Sequence, residues 1–224
     1  MRPNSGTLYV VATPIGNWGD ITLRAVETLK SVDAVICEEM REGSTLMKRL
    51  GITPKELITL NEHNENEKVS EIVIRLAQNQ SFALVSDCGT PGFADPGNIL
   101  VSQAVEMGFN VTPVPGVSSV MAALSVLGQR LDQFVFGGFL PRDPEARKRE
   151  LTRLRGLKMP VIIMDTPYRM GQLLDDVSKA FGKGQKVTLA CDLTLAGERI
   201  YRGSAAEVRQ QIKDKKAEFI LIVG

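Results

Sequence analysis

FALVSDCGTPGFADPG, residues 82–97, passes from a short apolar run ending at Ser86 and Asp87 directly into Gly89, Pro91, Gly92, Pro96 and Gly97. That density of turn formers denies the backbone regular structure, so a strand stops there and a loop begins. Glycine has no Cβ and lets the main chain approach a ligand, while proline stiffens the loop without an N–H to satisfy. The segment reads either as a binding loop or as an ordinary strand-to-helix connection. In the second case Asp95 or Pro96 starts the helix that carries Ile99, Leu100, Ala104 and Val105.

Outward from this stretch the same alternation recurs. TLYVVA at 7–12 is a continuous run rich in β-branched and aromatic residues, as in a strand buried on both faces of a parallel sheet. Asp20 stands as an N-cap before a helix carrying Leu23, Val26 and Leu29. Strands follow at 33–37, 57–60, 82–86 and 110–114, with helices near 43–50, 67–79 and 97–107. Such an order implies right-handed crossovers and a mainly parallel sheet with helices on both faces. VPGVSSVMAALSVLG at 114–128 reads as a hinge, with Ser118 or Ser119 capping a small-residue helix, which divides the chain into domains 1–114 and 115–224. The second half continues with strands at 134–137, 160–164, 186–191, 198–202 and 219–223, and with helices at 143–155, 168–181 and 204–214. No helix separates 186–191 from 198–202, so this half holds at least one antiparallel pair, and the fold class is two α/β domains, the second with a mixed sheet.

Composition narrows the function. The 224 residues carry a net charge of +1, so any anionic partner is held by a local patch rather than by overall charge. Cys37, Cys88 and Cys191 stand far apart, which suits a reducing cytoplasm and excludes a cysteine zinc cluster. MRPNSG lacks an apolar signal core, and no apolar run approaches the roughly 18 residues of a membrane helix, so the expectation is a soluble cytoplasmic protein. Dinucleotide and P-loop fingerprints are missing, as is the G-x-S-x-G elbow of a serine hydrolase.

Ligands of open parallel sheets sit beyond the carboxyl ends of the strands. The unusual loops TPIGN, SDCGTPGFADPG, PGVSS, DTPYR and ACDLT all follow strands, and five such loops point to a shared site. The single histidine, His63, is either a solvated loop residue or a proton acceptor oriented by Asn64 or Glu65. Arg142, Arg147, Lys148, Arg149, Arg153, Arg155 and Lys158 face only Asp143, Glu145 and Glu150. This run is either a solvated helix face or a docking place for a phosphate backbone.

Taken together, TPIGN, SDCGTPGFADPG, PVPGVSSVMAAL, GGFLPR and EFILIV resemble the tetrapyrrole methylase superfamily of S-adenosylmethionine-dependent methyltransferases. Within it they look most like the 16S ribosomal RNA (cytidine-2'-O)-methyltransferase branch, and the resemblance spans essentially the whole chain. It implies two α/β domains with S-adenosylmethionine bent into the cleft between them, a homodimer, and 16S rRNA or the small ribosomal subunit as partner. Positions matching the donor-binding loops are Pro14, Asp87, Gly89, Thr90, Pro91, Ser118, Ser119, Asp165, Thr166, Asp192, Leu193, Glu218 and Phe219. The branch's E-D-T-R segment appears as Glu38, Glu39, Met40 and Arg41, its H-N-E segment as His63, Asn64 and Glu65, and its second-half arginine as Arg169. Ala190 to Thr194, ACDLT, stands where the branch has A-R-E-L-T followed by lysine, and Leu195 comes next here. Members of the branch often continue into a further helical segment beyond the position of Gly224.

Methyl transfer from a sulfonium is an in-line displacement with a neutral leaving group, so positioning supplies most of the acceleration. A ribose hydroxyl needs a base, for which His63 and Glu38 are the candidates, while Arg41, Arg169 and the basic helix would hold phosphates. Two other readings remain open at this point: a superfamily methyltransferase acting on a tetrapyrrole or other small molecule, and a non-catalytic module that binds the donor as a regulatory ligand.

Overall fold

The apolar runs become strands and the periodic segments become helices in the computed structural model, which describes residues 5–92, 96–213 and 215–224. The chain divides into two compact units, Met1–Ser118 and Ser119–Gly224. The boundary thus follows Ser118 rather than Val114.

In the first unit β1 (Thr7–Val11), β2 (Ala34–Cys37), β3 (Leu57–Thr59), β4 (Phe82–Val85) and β5 (Asn110–Val114) form one sheet in the order β3-β2-β4-β1-β5. Every pairing in it is parallel. Between the strands run α1 (Leu23–Ser31), α2 (Met40–Arg49), α3 (Glu65–Ala77) and α4 (Asn98–Glu106). Strand side chains alternate between two cores. Val11, Val35, Cys37, Ala83, Val85 and Val114 pack with Ala25, Leu29, Leu46 and Met47 of α1 and α2. Leu8, Ala34, Ile36, Phe82 and Leu84 pack with Val69, Ile72, Leu76, Leu100 and Ala104 of α3 and α4. The chain reverses direction across the sheet after β3, and right-handed crossovers then carry the helices to the opposite face. At β4 and β1, neighbours whose chains leave toward opposite faces, the carboxyl edge opens into the crevice where such sheets bind ligands.

Asp20 does not cap α1. It closes a 3-10 turn, Trp18–Asp20, whose cap is Asn17, and Thr22 caps α1 by accepting from Ala25 N at 3.1 Å. Thr22 directly precedes the first helical residue, whereas Asp20 is already taken up in the tighter turn. Nor does Pro96 start α4: the helix begins at Asn98 behind Gly97, whose φ of +114° is a left-handed conformation that glycine adopts without strain. Asp95, the other cap foreseen for α4, lies outside the described residues.

In the second unit α5 (Ser119–Ser125) precedes β6 (Val135–Phe139), α6 (Pro144–Gly156), β7 (Val161–Asp165), α7 (Met170–Phe181), β8 (Lys186–Cys191), β9 (Arg199–Ser204), α8 (Ala205–Ile212) and β10 (Phe219–Val223). The sheet order is β6-β7-β10-β8-β9. Only β6 and β7 pair in parallel; β7 with β10, β10 with β8, and β8 with β9 are antiparallel. β10 enters the middle of the sheet, and its two antiparallel pairings together with that of β8 and β9 give the mixed sheet expected, with more than the minimum of one antiparallel pair. Val161, Ile163, Leu189, Phe219 and Leu221 face α6, α7 and α8, and Ile162, Ala190, Ile220 and Ile222 face Val120 and Ala123 of α5 and Leu127 just beyond it. No helix among the described residues is long and apolar enough to cross a membrane.

Candidate functional site

Because all five strands of the first sheet are parallel, every loop after them emerges at one edge. Along that edge stand, in spatial order, His63 beyond β3, Glu38 and Arg41 beyond β2, Asp87 and Gly89 beyond β4, Pro14 beyond β1 and Ser118 beyond β5. At about 4.8 Å between neighbouring strands, β3 lies roughly 14 Å from β1, and β2 lies next to β4.

The loops after β1, β4 and β5 are laced together around Gly89. Its carbonyl accepts from Thr13 N at 2.8 Å, Thr13 Oγ1 at 3.4 Å and Ser86 Oγ at 3.2 Å. Thr13 Oγ1 also donates to Ser86 O at 3.1 Å, and Thr90 Oγ1 to Val117 O at 2.9 Å. Gly89 holds φ at +88°, and a Cβ there would come within 3.1 Å of Ile15 Cγ2. Beside this turn lies a small depression of about 30 Å³, lined by Pro14, Trp18, Glu42, Leu46, Ser86 and Asp87 among others. Pro14 is buried, and Asp87 is exposed. The rim therefore offers carboxylates, main-chain groups and an indole, a donor set suited to a cationic or amine-bearing ligand. The Arg49 guanidinium sits 5.8 Å from the centre of the Trp18 ring.

Cys37 lies under the same edge but is no nucleophile. Burial, and secondarily the Asp87 carboxylate, push its thiol up to about 11. Glu38 is half-buried at the end of β2, and Arg41 is exposed in the first turn of α2. His63 does not find the partners foreseen for it. Asn64 folds back instead, its Nδ2 donating to Thr59 O at 3.1 Å and its Oδ1 accepting from Asn61 N at 2.9 Å. Glu65 Oε1 accepts from Gly97 N at 2.9 Å. The His63 side chain is 85% exposed, with its Nε2 4.0 Å from Glu62. Both neighbours are held by backbone groups, so neither orients the ring.

The second unit gathers its own set. β7 and β8 both run antiparallel to β10, so their carboxyl ends meet the start of β10, with Phe219 opposite Asp165 and Cys191. Thr166, Asp192, Leu193 and Glu218 flank these residues, and Asp192 N donates to Glu218 O at 2.8 Å. Asp192 adopts φ +51° and pairs with Lys215 Nζ at 3.1 Å. Glu218 has its carboxyl raised above the usual range by desolvation and by the neighbouring Asp192. Asp165 is buried: Oδ1 accepts from Thr166 N at 2.8 Å and lies 3.3 Å from Arg169 Nη1, while Oδ2 has no hydrogen-bond partner among the described residues. Burial raises its pKa despite those two favourable contacts.

Arg169 donates to Leu140 O and Pro141 O at 3.0–3.2 Å, so its guanidinium braces the loop after β6. The basic run also splits. Arg147 is buried, pairs with Asp176 at 2.8 Å and donates to Pro141 O and Arg142 O. Arg153 pairs with Glu150, Arg155 donates to Ala180 O, and Asp143 caps α6. Arg142, Lys148, Arg149 and Lys158 remain exposed with no partner among the described residues.

Sequence reasoning missed Trp18 and Glu42 as lining residues, and included Thr13 and Ser86 only as parts of the TPIGN and SDCGTPGFADPG loops. Thr13 and Ser86 end the apolar runs, where a polar residue at a strand terminus is a usable signal. The only tryptophan, flanked by Asn17 and Gly19, is another. Glu42 carried none, because its place depends on β2 pairing with β4.

The family model of the tetrapyrrole (corrin/porphyrin) methylases matches residues 7–209. A ribosomal RNA small subunit methyltransferase I from Xylella fastidiosa is 40% identical over 222 residues, covering 97% of this chain and 81% of that protein. The protein of the same name from Leptospira biflexa is 38% identical over 224 residues, covering 100% of this chain and 92% of its own. Among solved structures, the Thermus thermophilus uroporphyrin-III-C-methyltransferase superposes with a TM-score of 0.66 at 18% identity, covering 98% of this chain and 94% of that one. A cobalt precorrin-4 methyltransferase does so at 0.70 and 17%, covering 97% and 94%, which shows the shared fold. The chain belongs to the tetrapyrrole methylase family, in the group of its ribosomal RNA small subunit methyltransferase I relatives. It is a methyltransferase, and its methyl donor is S-adenosylmethionine.

Proposed function

We propose that the protein transfers the methyl group of S-adenosylmethionine to the 2'-hydroxyl of a cytidine in 16S ribosomal RNA, as a cytoplasmic homodimer. The observation that carries this reading is the 40% identity to a ribosomal RNA small subunit methyltransferase I over nearly the whole chain. On the first unit Pro14, Asp87, Gly89, Thr90, Pro91 and Ser118 contact the donor, and on the second Ser119, Asp165, Thr166, Asp192, Leu193, Glu218 and Phe219 do so. The rigid turn around Gly89 supports that assignment, since a displacement whose leaving group is neutral gains chiefly from fixed geometry.

Glu38 is the favoured general base. It leaves the end of β2, the strand beside β4, and so starts one strand from Asp87, whereas His63 follows the edge strand and turns to solvent. Arg41, exposed one helical turn from Glu38, meets the acceptor's phosphate. Arg169 acts by holding the loop after β6. Tritiated methyl incorporation into small ribosomal subunits from a strain lacking the gene tests the whole reading. Wild-type protein labels 16S RNA at the 2'-oxygen, and Asp87→Ala and Arg41→Glu lower the rate without unfolding. No label in the RNA rejects the function, and wild-type rates in both variants reject those two roles.

A further inference from the structure

The two helices α6 and α7 lie side by side on the second sheet and leave between their outer surfaces a groove of about 620 Å³. Its walls repeat at helical spacing, with Lys148, Thr152 and Arg155 on one side and Gln172, Asp176 and Lys179 on the other. Asp176 does not make the groove acidic. Buried Arg147 pairs with it at 2.8 Å from beneath, Gln172 Nε2 donates to it at 2.9 Å and Lys179 Nζ lies 3.7 Å from it, so two cations share one carboxylate and the cluster keeps an excess positive charge. What faces outward is therefore positive: Lys148, Arg155 and Lys179 against Glu145 alone. Arg142, Arg149 and Lys158, exposed and unpaired among the described residues, extend the charge along α6 and past both its ends.

On a chain of net charge +1 this concentration of cations is local, as an anionic partner requires. We propose that the groove between α6 and α7 docks the phosphate backbone of the acceptor RNA, an inference that rests on the function proposed above. Lysine and arginine neutralise phosphates, and the Thr152 hydroxyl and Gln172 amide supply further donors to phosphate oxygens. Among the described residues no aromatic side chain lines the groove, so the contact argued here is to the backbone and independent of sequence. Lys148 and Arg155 are seven residues apart on one helix, about 10 Å along its axis, enough to track a strand rather than hold one anion. The groove thus positions the RNA and leaves the choice of nucleotide to other residues.

The test is the salt dependence of binding to a labelled poly(U) oligonucleotide, for wild type and for the double variant Lys148→Gln, Lys179→Gln. Each lost contact to single-stranded RNA lowers the slope of log K against log salt by about 0.7, so the double variant loses about 1.4. Its affinity for S-adenosylmethionine by calorimetry stays at the wild-type value, and its KM for small-subunit RNA rises while kcat holds. Lys30→Gln, on the first unit, leaves the slope unchanged. Equal slopes for wild type and double variant overturn the groove assignment, and so does a wild-type protein that binds no RNA. If wild type binds RNA and loses slope in the variant but transfers no methyl group to small-subunit RNA, the groove stands and the proposed reaction falls.

Discussion

Replacing Glu65 with alanine removes the carboxylate that accepts the Gly97 N–H at 2.9 Å. Gly97 is buried and precedes the first turn of α4, so this bond ties the start of α4, just beyond the loop proposed to bind the donor, to α3. A hydrogen bond to a charged group contributes about 1.5–3 kcal/mol, and an anion at a helix N-terminus about 0.3–1 kcal/mol. Water entering the vacated space returns part of the sum, leaving a net loss of about 2 kcal/mol. That corresponds to a roughly 30-fold rise in local opening. Amide hydrogen exchange across the first turn of α4, followed by mass spectrometry, reads the change directly, and donor titration calorimetry shows weaker binding in parallel. Glu65→Gln keeps an acceptor oxygen and recovers most of the protection. Exchange in Glu65→Ala within twofold of wild type, or Gln behaving like Ala, refutes the reasoning.

Arg147→Ala removes the buried guanidinium that pairs with Asp176 and donates to Pro141 O and Arg142 O. Because Gln172 and Lys179 still reach Asp176 and Arg169 still reaches Pro141 O, urea unfolding of the second unit shows a loss of about 1.5–3 kcal/mol. Gly89→Ala forces a side chain into φ +88° against Ile15, which costs about 1–2 kcal/mol and weakens donor binding about tenfold in calorimetry; unchanged affinity removes this turn from the site. Asp33 accepts from Ser81 N and pairs with Lys55, which lower its pKa below 3.8. Its contribution is therefore present above 3.8 and lost as pH falls through the lower folded value. Asp33→Asn is accordingly less stable than wild type at about pH 7, and the two converge near about pH 2 in urea titrations.

Strands such as β1, β2, β4, β7 and β10 were legible as apolar runs, β9 with its RIYRGS only as an extended segment without an intervening helix, and the helices because their apolar residues recur at one face. Cap positions were less so: Asp20 and Thr22 are both good caps, and only the 3-10 turn at Trp18 decides between them. The order of the second sheet was not legible at all, since pairing of β10 with β7 and β8 depends on contacts far apart in sequence that leave no local period. The site follows the same division. In the candidate site, Gly89, Pro91 and Pro14 were singled out by residue type, whereas Glu42 lines the depression only through the pairing of β2 with β4, and Glu65, read from the sequence as a partner of His63, reaches Gly97 instead.

The place of β10 has a consequence for biosynthesis. Phe219–Val223 leaves the ribosome after the other four strands of the second sheet, yet it is that sheet's middle rung. Until it emerges, β7 and β8 each expose an inner edge with unmet N–H and C=O groups, a template for pairing with another nascent chain. The first sheet has no such wait, because its latest strand, β5, is added at the rim. A translation arrest shortly before Phe219 would therefore release a chain with one finished half and one half primed to aggregate.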